Sequence, residues 1–214
     1  MASSIVHLAI TEELTNRFDF DDNNRLKFGA IIADTGSYDK AHLKINVFDG
    51  KKKAYDFDRY RELFGNRMLS DELYLGYYLH LVQDVLFRHY VYDRHHWNPG
   101  IPGNVARLHK DYSIVNRYII DKYRLTNDLT VPEGFENEDI NMLDTFDTEK
   151  MMIDLKLYFQ PVEDEDIFFF TKEMSDEYIK EAIDFCVQEM KNIKMGKPGI
   201  DMYAYAWERG NNSK

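Results

Sequence analysis

The sequence predicts an all-α, single-domain bundle of several helices. Apolar residues recur at spacings of three and four along most of the chain, while alternating apolar and polar stretches are scarce. The chain has 214 residues, 44% of them hydrophobic, which is enough for one substantial core. No internal repeat or low-complexity linker divides residues 1–214, so one domain is expected throughout.

The elements follow in order. A first helix starts after Ser3 or Ser4 and runs from Ile5 to about Arg17. Asp19 to Arg25 reads as a turn. Leu26 to Ala33 is a short apolar run entering the loop Asp34-Thr35-Gly36-Ser37-Tyr38. Lys40 to Lys53 is either a loop or a short hairpin. Asp56 to Phe64 forms a short helix, and Ser70 caps a long one from Asp71 to about Tyr92. Arg94 to Gly103 is a loop, after which Asn104 caps a helix reaching about Tyr123. The acidic stretch Asn127 to Thr148 is expected to be a solvated excursion with a short helical piece. Glu149 to Phe159 and Ser175 to Met195, the latter capped by Ser175, complete the helices, and Gly196-Lys197-Pro198-Gly199 ends the last.

Composition narrows the function. The one cysteine, Cys186, excludes an intrachain disulfide and cysteine-ligated zinc modules, and its apolar helical setting makes it a core residue. A net charge of -11 argues against nucleic acid or an anionic membrane as the main partner. An acidic enzyme can still act on phosphate esters where bound cations supply positive charge. No stretch approaches the roughly 20 apolar residues of a membrane span. The start Met-Ala-Ser-Ser-Ile-Val-His lacks the pattern of a signal peptide, so a soluble, cytoplasmic protein is expected.

The long helix carries the chemistry. Its stripe reads Leu73, Tyr77, His80, Asp84, Phe87, Val91, and His80 and Asp84 project from one face on adjacent turns. An unpaired buried carboxylate costs several kcal/mol, of the order of a lost buried polar contact or more. A divalent cation shared with His80 would compensate Asp84, and the plainer alternative is a buried His–Asp hydrogen bond. The next helix has the stripe Val105, His109, Tyr112, Asn116, Ile119, Tyr123, again with inward polar groups. His7, Asp34 and His42 lie upstream, Asp34 where a loop could place it in a cleft.

These residues carry a resemblance. The order Ser3-Ser4-Ile5-Val6-His7-Leu8, Gly29-Ala30-Ile31-Ile32-Ala33-Asp34, Ala41-His42, Gly76-Tyr77-Tyr78-Leu79-His80-Leu81-Val82-Gln83-Asp84 and Leu108-His109 resembles the zinc-dependent phospholipase C superfamily, which includes the P1-type nucleases. The resemblance spans residues 3–116 and implies an all-helical fold of that type. It implies that Asp34, His42, His80 and Asp84 surround one metal, with His7 at a neighbouring metal that Asp84 bridges. His109 would be a later ligand, and Asp34 the catalytic base or orienter of the attacking water. One or two zinc ions, or another divalent transition metal, are expected. The pattern also departs from the family. Ser113 stands where a glutamate is usual, Asp111 falls off the His109 stripe, and His89 lies about 140° round the helix from Asp84.

The function so implied is hydrolysis of a small phosphate ester, monoester or diester, through metal-activated water. A helical phosphohydrolase of the HD type needs an adjacent His-Asp pair, and none occurs. The non-enzymatic alternative is a helical binding or scaffold protein with a structural metal or a buried His–Asp network.

Overall fold

The computed structural model describes residues 2–162 and 166–208. Seven α-helices dominate the described residues, so the chain is mostly helical as the periodicity implies. Helix α1 spans Ser4–Thr15 and is capped by the Ser3 side chain, which accepts from the Val6 N–H. Helix α2, Asn23–Ile32, begins inside the expected turn, because the Asp22 carboxylate accepts the Arg25 N–H and starts a helix there. A short 3-10 turn, Ala33–Thr35, then carries Asp34.

Of the two readings for residues 40–53, the hairpin is the one formed. Strand β1, Lys44–Val47, pairs antiparallel with β2, Lys52–Tyr55, with Lys44 opposite Tyr55. Strand β3, Trp207–Glu208, adds to the far edge of β2, a pairing that two residues of sequence could not announce. Helix α3, Phe57–Phe64, follows as expected.

Helix α4, Glu72–Arg88, is the centre of the molecule. Its cap is Asp71 rather than Ser70, since the Asp71 carboxylate accepts the Leu73 N–H. Every residue from Leu73 to Val85 is buried, so α4 is wrapped on all sides rather than along one stripe. It continues into a π turn over His89–Arg94. Helix α2 packs directly along α4, and two glycines permit the approach. A side chain on Gly29 would strike the Leu73 carbonyl, and one on Gly76 would strike the Leu26 carbonyl.

Helix α5, Asn104–Tyr123, starts after Gly103, whose positive φ of 84° provides the turn into it, so Asn104 is the first helical residue and not the cap. The stretch after it is more docked than a solvated excursion. Phe135 and Ile140 are buried on two 3-10 turns, and Glu138 pairs with Arg25 at 2.7 Å and with Arg67 at 3.0 Å. Helix α6 is Thr148–Tyr158. Helix α7, Lys172–Lys194, is capped by Thr171, and Ser175 instead bonds back to the Lys172 carbonyl within the first turn. The run Glu163 to Asp166 reads in the sequence as a charged turn, and it falls mostly outside the described residues. Among the described residues, no helix is long and apolar enough to cross a membrane.

Candidate metal centre

The contact of α2 with α4 sets the first ligand. Because the two glycines let the backbones touch, His80 Nδ1 reaches the Ala30 carbonyl at 2.9 Å. The carbonyl can only accept, so Nδ1 carries the proton and Nε2 presents a lone pair. That nitrogen faces His42 Nε2 at 3.2 Å and lies 3.8 Å from both Asp84 Oδ2 and Asp34 Oδ1. His42, delivered by the turn before β1, brings its Nε2 to 3.3 Å from Asp84 Oδ2 and 3.8 Å from Asp34 Oδ1. The ligand atoms of Asp34, His42, His80 and Asp84 all lie within 4.8 Å of one another, and the group can hold a metal ion.

The donor set fits a small divalent cation. Tetrahedral ligands at zinc distances of about 2.0–2.1 Å stand roughly 3.3 Å apart, close to the separations here. His80 Nε2, Asp34 Oδ1 and Asp84 Oδ2 converge here as acceptors. Asp34 Oδ1 is buried with no hydrogen-bond partner. A buried carboxylate and a second one at the cavity edge that converge on the same imidazole nitrogens call for positive charge between them.

His7 stands beside this group. Its Nδ1 lies 2.7 Å from Gln83 Oε1, and Gln83 Nε2 points to Cys186 Sγ at 3.9 Å, which fixes the amide orientation. His7 Nδ1 is therefore the donor to Gln83, and Nε2 faces Asp84 Oδ1 at 3.4 Å. The Ala2 backbone N–H donates to the same oxygen at 3.0 Å. Asp84 thus turns one oxygen to His42 and His80 and the other to His7, which is how a bridging carboxylate is placed. The His7 and His80 rings pack with centroids 4.3 Å apart.

Electrostatics follow from the burial. Burial pulls the His7 imidazole down, but its hydrogen bond to Asp84 and the charge of that carboxylate outweigh this and leave it raised. His80 is held well below its ordinary value by burial and then by the neighbouring His7, so it is neutral and available as a ligand. Burial pushes Asp84 up, yet hydrogen bonds from His42 and His7 hold it well below the carboxylate range. Asp34 is raised, chiefly by burial, with the charge of His7 opposing. The Tyr55 hydroxyl, 3.4 Å from Asp84 Oδ2, adds a further orienting donor.

No protein-family model, curated protein or solved structure matches this chain.

A cavity of about 370 Å³ opens beside the cluster, lined by residues of α1, α5 and α6. Asp34 is the one member of the four-residue group that lines it. Its side chain is 16% exposed, whereas those of His42, His80 and Asp84 are fully buried. The structure brings together Asp34, His42, His80 and Asp84, sets His7 against Asp84, and leaves His109 apart. His109 is exposed on the cavity wall, stacked against Tyr112 with centroids 5.9 Å apart. His89 bonds Asp93 at 3.0 Å on the surface, and His95 packs on Tyr90. Asp111 is fully engaged elsewhere, accepting the backbone N–H groups of Phe168, Phe169 and Phe170 at 2.8–2.9 Å. The residues that sequence reasoning passed over are Gln83 and Tyr55. Gln83 was findable, as a polar residue inside the apolar run Leu81-Val82-Gln83-Asp84. Cys186 is the core residue expected, and burial pushes its thiol up to about 12.

Proposed function

We propose that the protein is a metal-dependent hydrolase of small phosphate esters, built on the helical type of zinc-dependent phospholipase C. One observation carries the reading. Asp34 keeps Oδ1 among the buried ligands and lines the cavity that would admit a substrate. A purely structural site would be closed on all sides.

The ion would be held by Asp34, His42, His80 and Asp84, and His7 with Asp84 would be the ligands of any second one. When bound, zinc supplies Lewis acidity and brings the pKa of a coordinated water to about 7. The chain's own residues do the rest. Asp34 sits where a water entering from the cavity meets it, and would orient that water or take its proton. The Ala30 carbonyl fixes the His80 tautomer, and Gln83 fixes that of His7. A cation also accounts for how a protein of net charge -11 would receive an anionic ester.

Elemental analysis of purified wild type beside His80→Ala and Asp84→Ala tests this, with each protein also assayed on a chromogenic phosphodiester and a phosphomonoester. The expected result is a transition metal in wild type, its loss from both variants, and loss of turnover with it. Wild type that stays metal-free after reconstitution overturns the reading. Wild type that holds the ion but turns over neither ester leaves the scaffold alternative in its place.

A further inference from the structure

The cavity contains a buried donor that the metal cluster does not use. Asn116 is 2% exposed and lines the cavity, and its Nδ2 is buried without a hydrogen-bond partner. Its orientation is determined by Ser3. The Ser3 hydroxyl donates to Asn116 Oδ1 at 2.6 Å, and its oxygen also accepts the Val6 N–H at 3.4 Å. The amide must then turn its two N–H groups away from Ser3. An unsatisfied buried amide is costly unless something fills the place opposite it.

The surroundings define what fits. Ala2, Ser3 and Ser4, at the N-terminus of the twelve-residue helix α1, line the same cavity, so the positive end of the helix dipole opens there. The next residue ties this donor region to the cluster, because the Ser4 hydroxyl lies 3.5 Å from Asp34 Oδ2. Lys150, on the α6 wall, is paired with Asp154, so the carboxylate on that wall is already neutralised. The region beside Asp34 therefore offers donors and a positive dipole end to an oxygen-bearing anion.

We infer that Asn116 and the N-terminus of α1 form an oxyanion subsite that holds a phosphoryl oxygen of the ester, fixing its phosphorus beside Asp34. This rests on the phosphate-ester reading above and adds a residue that contacts the substrate. Asn116 would serve binding and orientation and would leave the metal content alone.

The test is calorimetric titration of inorganic phosphate into the zinc-reconstituted full chain, with metal content and melting temperature recorded for each variant. Asn116→Ala is expected to weaken phosphate binding about tenfold, the worth of one hydrogen bond to a charged group. Asn116→Asp keeps the shape and the bond from Ser3 but replaces the donor by a negative charge, and should weaken it about a hundredfold or more. Zinc content should match wild type in both. Phosphate affinity equal to wild type in either folded variant overturns the subsite, and the isosteric Asp variant decides if the Ala variant does not fold. Wild type that binds no phosphate also overturns it, even where ester turnover is seen. Asn116-dependent phosphate binding without turnover of any ester upholds the subsite and sinks the hydrolase reading.

Discussion

Helices α4 and α5 both carry polar residues in an apolar row, yet the fold treats them differently. Helix α4 is buried on every side from Leu73 to Val85, so any polar residue in that stretch must be satisfied inside the protein. Helix α5 is buried on one face only, through Asn104, Leu108, Asp111, Val115 and Ile119, and His109 falls on the rim beside that face. A histidine in a wrapped helix is forced to find a partner. A histidine at the edge of a one-sided helix can be left to solvent or to a ligand. The sequence motif is alike in the two cases, and the packing decides its meaning.

Substitutions can break or sharpen that contrast. The largest effect should come from Gly76→Ala on the wrapped helix. At an open helical site this change would stabilise by about 1 kcal/mol. Here the new methyl meets the Leu26 carbonyl, and overpacking should cost about 3 kcal/mol. Thermal melting should register a fall of roughly 6–12 °C. A melting temperature at or above wild type would show that α4 is not held as closely as described.

Next in size is Asp111→Ala on α5. Its carboxylate accepts three backbone N–H groups from Phe168 to Phe170, and their loss should cost about 2 kcal/mol, the scale of hydrogen bonds to a charged acceptor. Denaturant melts would measure it, and metal content should not change. A loss of bound metal would place Asp111 in the cluster and contradict its role as an anchor of that segment.

The smallest effect sharpens the comparison most. His109→Ala should change metal affinity by less than about threefold in a chelator competition, whereas loss of even an outer partner of a metal ligand costs about 10–100-fold. An emptied site in His109→Ala would mean that the exposed rim closes onto the cluster and that the two helices are not so different.

Much of the centre was legible from residues. His80 and Asp84, four apart in a long apolar run, announce a buried pair without any further information. His42 and Asp34 were not legible by that logic, because each comes from a turn where a lone polar residue has many ordinary uses, and they entered through the family resemblance. Of the stripe expected on α5, Asn116 and Ile119 are buried, whereas Val105 and His109 are exposed. Asp111 belongs to the buried face, but an aspartate whose partners are backbone groups some 57–59 residues away looks like a surface residue in sequence. Helix starts were displaced for a simpler reason. Ser70 and Asp71 are both good caps, as are Thr171 and Ser175, and local propensity does not choose between them.

The exposure of the Asp34 side chain, against the complete burial of its three partners, has a kinetic consequence. An ion entering or leaving by the cavity would pass a single carboxylate at its edge. Exchange would then be slow on both legs, and a chelator would strip the site at a rate set by the opening of this gate and not by its own strength. Whatever occupies the cavity becomes a stopper for the ion behind it.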